Sequence, residues 1–292
     1  MKFAPRSLII SLAGIAVLLP AAPAQQPGPP PAAPGRGRGP INRPPDPRVQ
    51  QRKYHFADTN QDLPYALYVS SKVTKDKPAP LIVALHGLGG DHNSLMRGNA
   101  IDLAEEGGYI LVGPMGYNPR GWYGTPVGTP RAGATPRPPN PEAANDPPNL
   151  RELSEKDVMN VLELMRREFN VDPSRTYLMG HSMGGAGTLY IGAKYASNWA
   201  AIGAIAPAAF AMLPTAKEML TPVAASMPVI VTQGGQDTAV PVDYTRRWIA
   251  AMQELKMNYL YVEMGPEDHG SIISKGMPDI FRFFAEHSKA AH

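Results

Sequence analysis

The chain has 292 residues, of which 43% are hydrophobic and 18% charged, so it can bury a core and is not disordered throughout. It contains no cysteine, which excludes disulfides, a catalytic thiol and thiolate-bound metal centres. Its net charge of +3 comes from the N-terminal part, since residues 54–292 carry 20 basic and 24 acidic side chains. A nucleic-acid-binding body is therefore not expected.

The first 24 residues have the pattern of a secretory signal peptide. Lys2 and Arg6 precede an apolar run over 8–19, and small residues surround a cleavage point after Ala24. A helix of 12 residues rises about 18 Å, which is short of a hydrocarbon core of about 30 Å. The pattern therefore predicts cleavage, a secreted or periplasmic protein, and no stable membrane insertion once the leader is removed.

Residues 25–53 predict an extended linker, and residues 54–292 predict one folded domain. Of the 33 prolines, 11 lie between 20 and 47 and 10 between 114 and 148, which leaves an ordinary proline content elsewhere. A segment of proline, glycine, glutamine and arginine with few apolar side chains cannot offset the entropy lost on folding.

Short apolar runs alternate with helical patterns after residue 54. The runs predict strands at 63–70, 81–85, 109–113, 176–179, 200–205, 229–232 and 259–264. Helical spacing predicts helices at 154–169, 186–196, 243–255 and 277–287. Ser154 is expected to cap the first of these helices, with Asp157 in the capping position three residues later. The alternation predicts an α/β fold with a doubly wound, mostly parallel sheet, whose functional groups lie beyond the C-terminal ends of the strands.

A nucleophilic serine is predicted at Ser182. The fourth predicted strand leads into Gly-His-Ser-Met-Gly at 180–184, and a helical pattern follows. In such a strand–turn–helix the serine occupies a strained turn, and the flanking glycines leave room for neighbouring backbone. An ordinary turn is the alternative, but the elements on both sides and the further glycines Gly185 and Gly187 favour the nucleophile.

An acid and a base follow Ser182 in an order known for serine hydrolases. Asp237 follows the sixth predicted strand and His269 follows the seventh. His269 would take the proton of Ser182, and Asp237 would fix the imidazole tautomer. Asp268 is an alternative acid, but neighbours in sequence rarely face each other suitably. Asp237 is therefore the favoured partner.

A glycine-rich turn predicts an oxyanion hole. The second predicted strand runs into His-Gly-Leu-Gly-Gly at 86–90, where a backbone N–H can point at the nucleophile. The N–H groups of Leu88 and Met183 are the predicted donors. These glycines match neither a phosphate-binding loop nor a dinucleotide fingerprint, so no nucleotide cofactor is expected. His86 and His181 lie within the two turn motifs and are expected to brace loops.

These motifs together resemble those of the α/β-hydrolases. They are LHGLGG at 85–90, the segment DVMNVLELMRREFNVDPSRTYLMGHSMGG at 157–185, GGQDTAVPV at 234–242 and EDHG at 267–270. Within that superfamily the chain is most similar to secreted single-domain esterases of the polyhydroxybutyrate-depolymerase and feruloyl-esterase group. The resemblance covers about 55–289 and implies hydrolysis of carboxylic esters without a cofactor or a metal. Dienelactone hydrolases, which the chain also resembles, carry a cysteine nucleophile where this chain has Ser182.

Two loops at the same edge are candidate substrate walls. Residues 114–150 are long for a connection and contain Trp122 and Tyr123, which are predicted to stack on an aromatic acid or a sugar. The alternative is that the two rings anchor the loop to the body. The second loop, 207–228, holds four large apolar side chains that line an acyl pocket or, as the favoured interpretation, belong to the core: Met212, Leu213, Met219 and Leu220.

Three functions are compatible with these residues. The favoured hypothesis is a secreted serine esterase that acts on a small-molecule or polymer-linked ester through an acyl-enzyme. A peptidase of the prolyl-oligopeptidase type is the second, although the tail before the domain is too short for the propeller that such enzymes usually carry. The third is a non-catalytic, exported binding module on the same fold, and a complete set of catalytic residues argues against it.

Overall fold

The computed structural model describes residues 44–126 and 141–289, whose eight strands form one sheet. The strands are β1 (Gln50–Phe56), β2 (Gln61–Val69), β3 (Ala79–Leu85), β4 (Ile110–Pro114), β5 (Val171–His181), β6 (Ala201–Ile205), β7 (Val229–Gly234) and β8 (Tyr259–Met264). Their order across the sheet is β1-β2-β4-β3-β5-β6-β7-β8. The pairs β1–β2 and β2–β4 are antiparallel, and the other neighbours are parallel. The predicted doubly wound, mostly parallel sheet is therefore confirmed.

Helices cover both faces of this sheet. They are α1 (Asn99–Gly107), α2 (Leu150–Glu168), α3 (Met183–Lys194), α4 (Ala216–Leu220), α5 (Val242–Glu254) and α6 (Ser271–Glu286). Short 3₁₀ turns add Trp122–Gly124, Pro141–Asn145, Ala196–Asn198, Phe210–Thr215 and Thr221–Val223. The side chains of α2, α3, α4 and α5 share one hydrophobic cluster, and those of α1 and α6 share another.

Strand β3 shows why the apolar runs are continuous. Leu81, Val83 and Leu85 point into the first cluster, whereas Ile82 and Ala84 point into the second. Successive side chains of a strand alternate between its faces, so a strand that is covered on both sides must be apolar throughout. The runs therefore predicted β3 to β7 well, because these strands lie inside the sheet.

The folded part of the chain begins earlier than the predicted boundary at residue 53. Residues Gln50–Phe56 form β1, so the last four residues of the predicted linker belong to a strand. β1 is an edge strand in which only Phe56 is buried, and its polar sequence carries no apolar run. The predicted signal peptide and most of the linker lie outside the described residues.

Helix α2 begins at Leu150 rather than at Ser154, so the predicted cap is wrong. Ser154 and Asp157 are fully buried inside the helix and face the loop after β4. Ser154 Oγ accepts the Tyr123 N–H at 3.1 Å, and Asp157 Oδ2 accepts the Tyr117 N–H at 3.0 Å. A polar pattern that resembles a helix cap thus serves to hold a loop.

Helix α6 begins at Ser271 rather than at 277 and continues through Pro278. A proline lacks the N–H that would bond to the carbonyl four residues earlier, here that of Ser274. The Ser274 carbonyl instead accepts a hydrogen bond from Asn99 Nδ2, on α1, at 2.7 Å. A side chain from a neighbouring helix therefore compensates for the proline.

None of the helices within 44–126 and 141–289 is both long enough and apolar enough to cross a membrane.

Candidate active site

Ser182 lies in a sharp turn between β5 and α3, at the C-terminal edge of the parallel strands. Its φ of 56° and ψ of −113° fall in a region that non-glycine residues rarely occupy, at a cost on the order of 1–3 kcal/mol. The Ser182 N–H donates to the Ile205 carbonyl at 2.9 Å, and the Ser182 carbonyl accepts from the Ala208 N–H at 2.9 Å. Strand β6 and the loop after it therefore hold the strained turn.

Gly184 is required by the close approach of two backbones. A Cβ at this position would lie 2.2 Å from the carbonyl oxygen of Leu85, at the end of β3. A contact this short does not occur between real atoms, so any larger residue would push the two turns apart. This packing explains why the second glycine of the pentapeptide accompanies the serine.

Three side chains from separate turns meet at this edge of the sheet. His269 Nε2 lies 2.9 Å from Ser182 Oγ, and His269 Nδ1 lies 2.7 Å from Asp237 Oδ2. The Asp237 side chain is fully buried, whereas 25% of the His269 side chain is exposed. In this arrangement the imidazole can take a proton from the serine while the carboxylate stabilises the resulting charge.

Backbone donors orient both candidate carboxylates. Asp237 Oδ1 accepts two N–H groups of its own loop at 2.9 and 2.8 Å, which leaves Oδ2 facing His269. Asp268 Oδ1 accepts two N–H groups at the start of α6, at 2.9 and 2.7 Å. The backbone donors on Asp237 Oδ1 thus present Oδ2 to the imidazole.

His181 is buried and supports the loop that carries His269. Its Nε2 lies 2.8 Å from the His269 carbonyl oxygen, and the two ring centroids are 4.6 Å apart. Burial lowers the pKa of His181 to about 3, and the neighbouring His269 acts in the same direction. The ring is therefore neutral at pH 7 and donates its Nε2–H to the carbonyl, as expected of a histidine that braces a loop.

His86 plays a similar part in the glycine-rich turn. It is buried, and its Nε2 lies 2.7 Å from the carbonyl oxygen of Met115, in the loop after β4. Burial lowers the pKa of His86, so this ring is also neutral at pH 7. The contact ties the turn after β3 to the loop after β4.

The backbone N–H groups of Leu88 and Met183 are available to a ligand. Among the described residues, neither N–H has a hydrogen-bond partner. The Gly87 carbonyl accepts the Gly90 N–H at 2.9 Å, and a trans peptide directs the following N–H the opposite way, so the Leu88 N–H points out of its own turn. A Cβ on Gly87 would lie 3.4 Å from Ser182 Cβ, which places this turn against the serine. The use of the Leu88 and Met183 N–H groups as an oxyanion hole stays a prediction.

Tyr123 is a correction to the sequence analysis, because it is fully buried and cannot stack on a substrate. Its ring lies under α3, where a Cβ on Gly187 would be 2.7 Å from the tyrosine. Its hydroxyl donates to the His86 carbonyl at 3.2 Å, and its N–H donates to Ser154. Tyr123 therefore anchors the loop after β4 to the glycine-rich turn and to α2.

Trp122, by contrast, is half-buried at the surface of the same loop. The Arg151 guanidinium lies 5.7 Å from the centroid of its indole, and the residue packs against the edge of the first hydrophobic cluster. Trp122 and Tyr123 both have a positive φ, of 56° and 52°, so the backbone makes a left-handed turn at this pair. Contact between Trp122 and a substrate stays a prediction.

The sequence analysis singled out neither an aromatic pair beyond β6 and β7 nor Gln233. Phe210 and Tyr244 are half-buried and meet edge to face, with ring centroids 4.9 Å apart, beyond the ends of β6 and β7. Gln233, which is fully buried in β7, contacts Asp237. Phe210 lies in the apolar part of the 207–228 loop and Tyr244 in a polar segment, and neither belongs to a motif, whereas a glutamine that ends an apolar run was a visible signal. The four apolar residues of 207–228 pack in or against the core, as the favoured interpretation has it: Met212, Leu213, Met219 and Leu220.

Asp157 is a buried carboxyl that fixes the loop after β4. Its Oδ1 accepts from Tyr54 Oη at 2.5 Å, and its Oδ2 accepts from the Tyr117 N–H. Burial raises the pKa of Asp157 to about 6, although the hydrogen bonds from Tyr54 and the backbone act in the opposite direction. The folded protein therefore binds this proton more tightly than the unfolded chain does.

The free energy of unfolding should depend on pH because Asp157 titrates at different pH values in the folded and unfolded states. Because the unfolded pKa is about 3.9, the stability falls as the pH rises from about 4 to about 6, where the folded state binds more protons. Asp157→Asn removes this effect. The free energy of unfolding of the variant, relative to that of the wild type, should therefore rise by roughly 1–3 kcal/mol from pH 4.5 to pH 7.5. Urea unfolding at both pH values measures the gain. An identical difference between the two proteins at both pH values would contradict the expectation.

The eight-stranded sheet, the turn at Ser182 and the position of the site define the α/β-hydrolase class. The sequence model of the Esterase family matches residues 57–227, which is more than half of the chain. The chain therefore belongs to the Esterase family. The resemblance to α/β-hydrolase esterases that the motifs indicated is therefore confirmed.

Known proteins similar to the chain include esterases of aromatic acids. Feruloyl esterase B from Neurospora crassa is 32% identical over 151 residues, which are 49% of this chain and 44% of that protein. The chain thus matches less than half the length of this relative. An S-formylglutathione hydrolase from Agrobacterium tumefaciens has a TM-score of 0.65 at 18% identity, over 82% of this chain and 95% of that one. A ferulic acid esterase from Anaeromyces mucronatus, solved with ferulic acid, has a TM-score of 0.64 at 18% identity, over 82% and 90%.

Proposed function

We propose that the chain is a serine esterase that cleaves carboxylic esters through an acyl-enzyme on Ser182. The observation that carries the proposal is the hydrogen-bonded series from Ser182 through His269 to the buried Asp237, with distances of 2.9 and 2.7 Å. A serine hydroxyl is a weak nucleophile unless a base takes its proton, and His269 is in hydrogen-bond reach to do so. Asp237 keeps Nδ1 protonated, so that Nε2 faces the serine as the free base.

Acylation then follows from this geometry. Ser182 Oγ attacks the ester carbonyl carbon while His269 Nε2 takes the hydroxyl proton. The carbonyl oxygen becomes an oxyanion, which the N–H groups of Leu88 and Met183 bind. The carbon–oxygen bond to the alcohol breaks, and the imidazolium gives its proton to the leaving oxygen. The acyl group is left as an ester of Ser182.

Deacylation uses the same groups in reverse order. A water molecule attacks the acyl carbon while His269 takes one of its protons. The second oxyanion is bound at the same two N–H groups, and its collapse releases the carboxylic acid as Ser182 regains its proton. Both halves need one base, one acid partner and one oxyanion site, and these residues supply them.

A panel of substrates tests the proposed function. It compares p-nitrophenyl esters of acids from acetate to ferulate with peptide anilides, and adds labelling by a fluorophosphonate probe. We expect hydrolysis of the esters, labelling of the protein and no cleavage of the anilides. Preferential cleavage of the anilides would favour a peptidase, and a protein that neither labels nor hydrolyses would be a binding module.

We further propose an aromatic acyl group as the preferred substrate, on a small-molecule or polymer-linked alcohol. Support comes from feruloyl esterase B among the relatives and from the half-buried Trp122 in the loop after β4. The leader pattern of residues 1–24 supports export, with a mature N-terminus near Gln25. The alcohol portion is to be identified from esters of one acid, ferulate, with different alcohols.

Trp122→Ala should lower kcat/KM for phenyl and feruloyl esters about two- to twelvefold and leave butyl esters unchanged. The loss corresponds to about 0.5–1.5 kcal/mol of stacking that is realised in the transition state. Trp122→Phe keeps a ring and should recover part of the activity on aromatic esters. An equal loss on every ester together with a lower Tm would mean that Trp122, like Tyr123, only anchors the loop.

A further inference from the structure

Gln233 is a polar side chain buried in an apolar strand. It follows Val-Ile-Val-Thr in β7 and has no exposed surface. A buried amide without partners costs on the order of 1–3 kcal/mol, so the hydrogen bonds of Gln233 indicate its role.

Both ends of the Gln233 amide have defined partners. Nε2 lies 3.1 Å from Asp237 Oδ2 and 3.1 Å from the Val240 carbonyl oxygen. Oε1 accepts from Thr245 Oγ1 at 2.7 Å. The Gly234 carbonyl oxygen lies 3.2 Å from Nε2 as well, so rotation of the amide by 180° would bring Oε1 against three oxygen acceptors with no hydrogen between them. The amide orientation is therefore fixed, and Thr245, which is also fully buried in α5, holds its oxygen.

The oxygen of Asp237 that Gln233 contacts is the one that faces His269. Oδ2 receives His269 Nδ1–H at 2.7 Å and Gln233 Nε2–H at 3.1 Å, while two backbone N–H groups occupy Oδ1. Four donors on two oxygens prevent the carboxylate from rotating about its Cβ–Cγ bond. The four donors also stabilise the negative charge of the carboxylate, which weakens its attraction for the imidazolium.

We infer that Gln233 and Thr245 are positioning residues for the acid of the triad, an inference that rests on the proposed function. Thr245 orients the amide, the amide holds Asp237 Oδ2, and Oδ2 holds the imidazole against Ser182. Neither Gln233 nor Thr245 touches the substrate. Their effect on the reaction passes through the geometry and the charge of Asp237.

Gln233→Met is the direct test, because methionine has the length of glutamine and no donor. We expect kcat/KM for a p-nitrophenyl ester to fall about tenfold, since a misplaced base costs this much or more. The acidic limb of the kcat/KM–pH profile should move up by about half a pH unit, because the imidazolium is favoured by a carboxylate that has lost a donor. Thr245→Val should act in the same direction with a smaller loss. Thr245→Ser keeps the hydroxyl, so its kcat/KM and the acidic limb of its pH profile should match those of the wild type.

Two other titratable groups adjoin His269. His181 lies with its ring centroid 4.6 Å away, and Asp268 directs its Oδ1 to the start of α6. Neither group is altered by the substitutions. Movement of the acidic limb therefore reports the contact between Gln233 and Asp237.

Thr176→Val is the matched control. Thr176 is also fully buried, and its Oγ1 donates to the Asp172 carbonyl at 2.9 Å, near the N-terminal end of β5 and away from the site. It should lower the Tm as Thr245→Val does, but leave kcat/KM and the acidic limb unchanged.

The inference is overturned if Gln233→Met and Thr245→Val lower the Tm but keep the kcat/KM and pH profile of the wild type. If Gln233→Met does not fold, the comparison of Thr245→Val with Thr245→Ser decides alone. Ser182→Ala is assayed in parallel. Activity that survives in Ser182→Ala overturns the proposed function itself, whereas an inactive Ser182→Ala beside an unaffected Gln233→Met overturns only the positioning role.

Discussion

Ser182→Ala is expected to abolish ester hydrolysis and to leave the fold intact. Loss of the nucleophile in serine hydrolases lowers kcat by about 10⁶, because no other group can form the acyl-enzyme. Alanine is smaller than serine and meets the same backbone constraint at a φ of 56°, so the turn should form as before. The measurements are kcat/KM on a p-nitrophenyl ester, labelling by a fluorophosphonate and the Tm.

Ser226→Ala provides a matched control for this experiment. Ser226 is exposed and precedes β7, at the opposite edge of the sheet from Ser182. Its removal should change neither labelling nor activity. Residual activity of more than a few per cent in purified Ser182→Ala would mean that another residue is the nucleophile.

Asp237→Asn is expected to lower kcat/KM by about 10⁴. An asparagine amide in place of Oδ2 favours the wrong tautomer of His269, with the proton on Nε2 instead of Nδ1, and such a ring cannot accept the proton of Ser182. The effect should be largest below neutral pH and partly relieved in alkaline buffer, where hydroxide assists the attack. A kcat/KM–pH profile of the variant measures both features.

Asp268→Asn separates the two neighbouring carboxyls. Asp268 accepts two backbone N–H groups at the start of α6, and an asparagine oxygen can accept the same bonds. The substitution should therefore cost no more than a few-fold in kcat/KM. If Asp268→Asn proves more damaging than Asp237→Asn, the assignment of the acid is wrong.

The sequence could place the three candidate catalytic side chains at one edge of the sheet because each lies close to the end of a strand. Ser182, Asp237 and His269 each follow a short apolar run within a few residues, and the ends of parallel strands lie together at one edge. The pentapeptide at 180–184 adds a backbone requirement that is visible in the sequence. Positions that depend on a strand and its own turn could therefore be predicted from the sequence alone.

Features that depend on residues distant in the sequence could not be predicted in this way. Tyr123 is buried because a loop folds under α3, and nothing in its local sequence separates it from the half-exposed Trp122 beside it. The strand β1 gains its conformation from pairing with β2, not from its own polar sequence. Pro278 remains inside a helix because a side chain of α1, Asn99, satisfies the carbonyl it leaves free. In each case a tertiary contact overrides the local preference.

Side-chain contacts fasten the loop after β4 at two points. Arg120 and Asn118 bind the carboxylate of Asp146 at 2.8–2.9 Å, and Arg151 donates to Thr125 Oγ1 at 3.1 Å. The described parts of the loop are thus joined to each other through Asp146 and to α2 through Arg151. Because these contacts use side chains other than Ser182, Asp237 and His269, the loop that carries Trp122 can be altered to test ester preference without replacing a proposed catalytic residue.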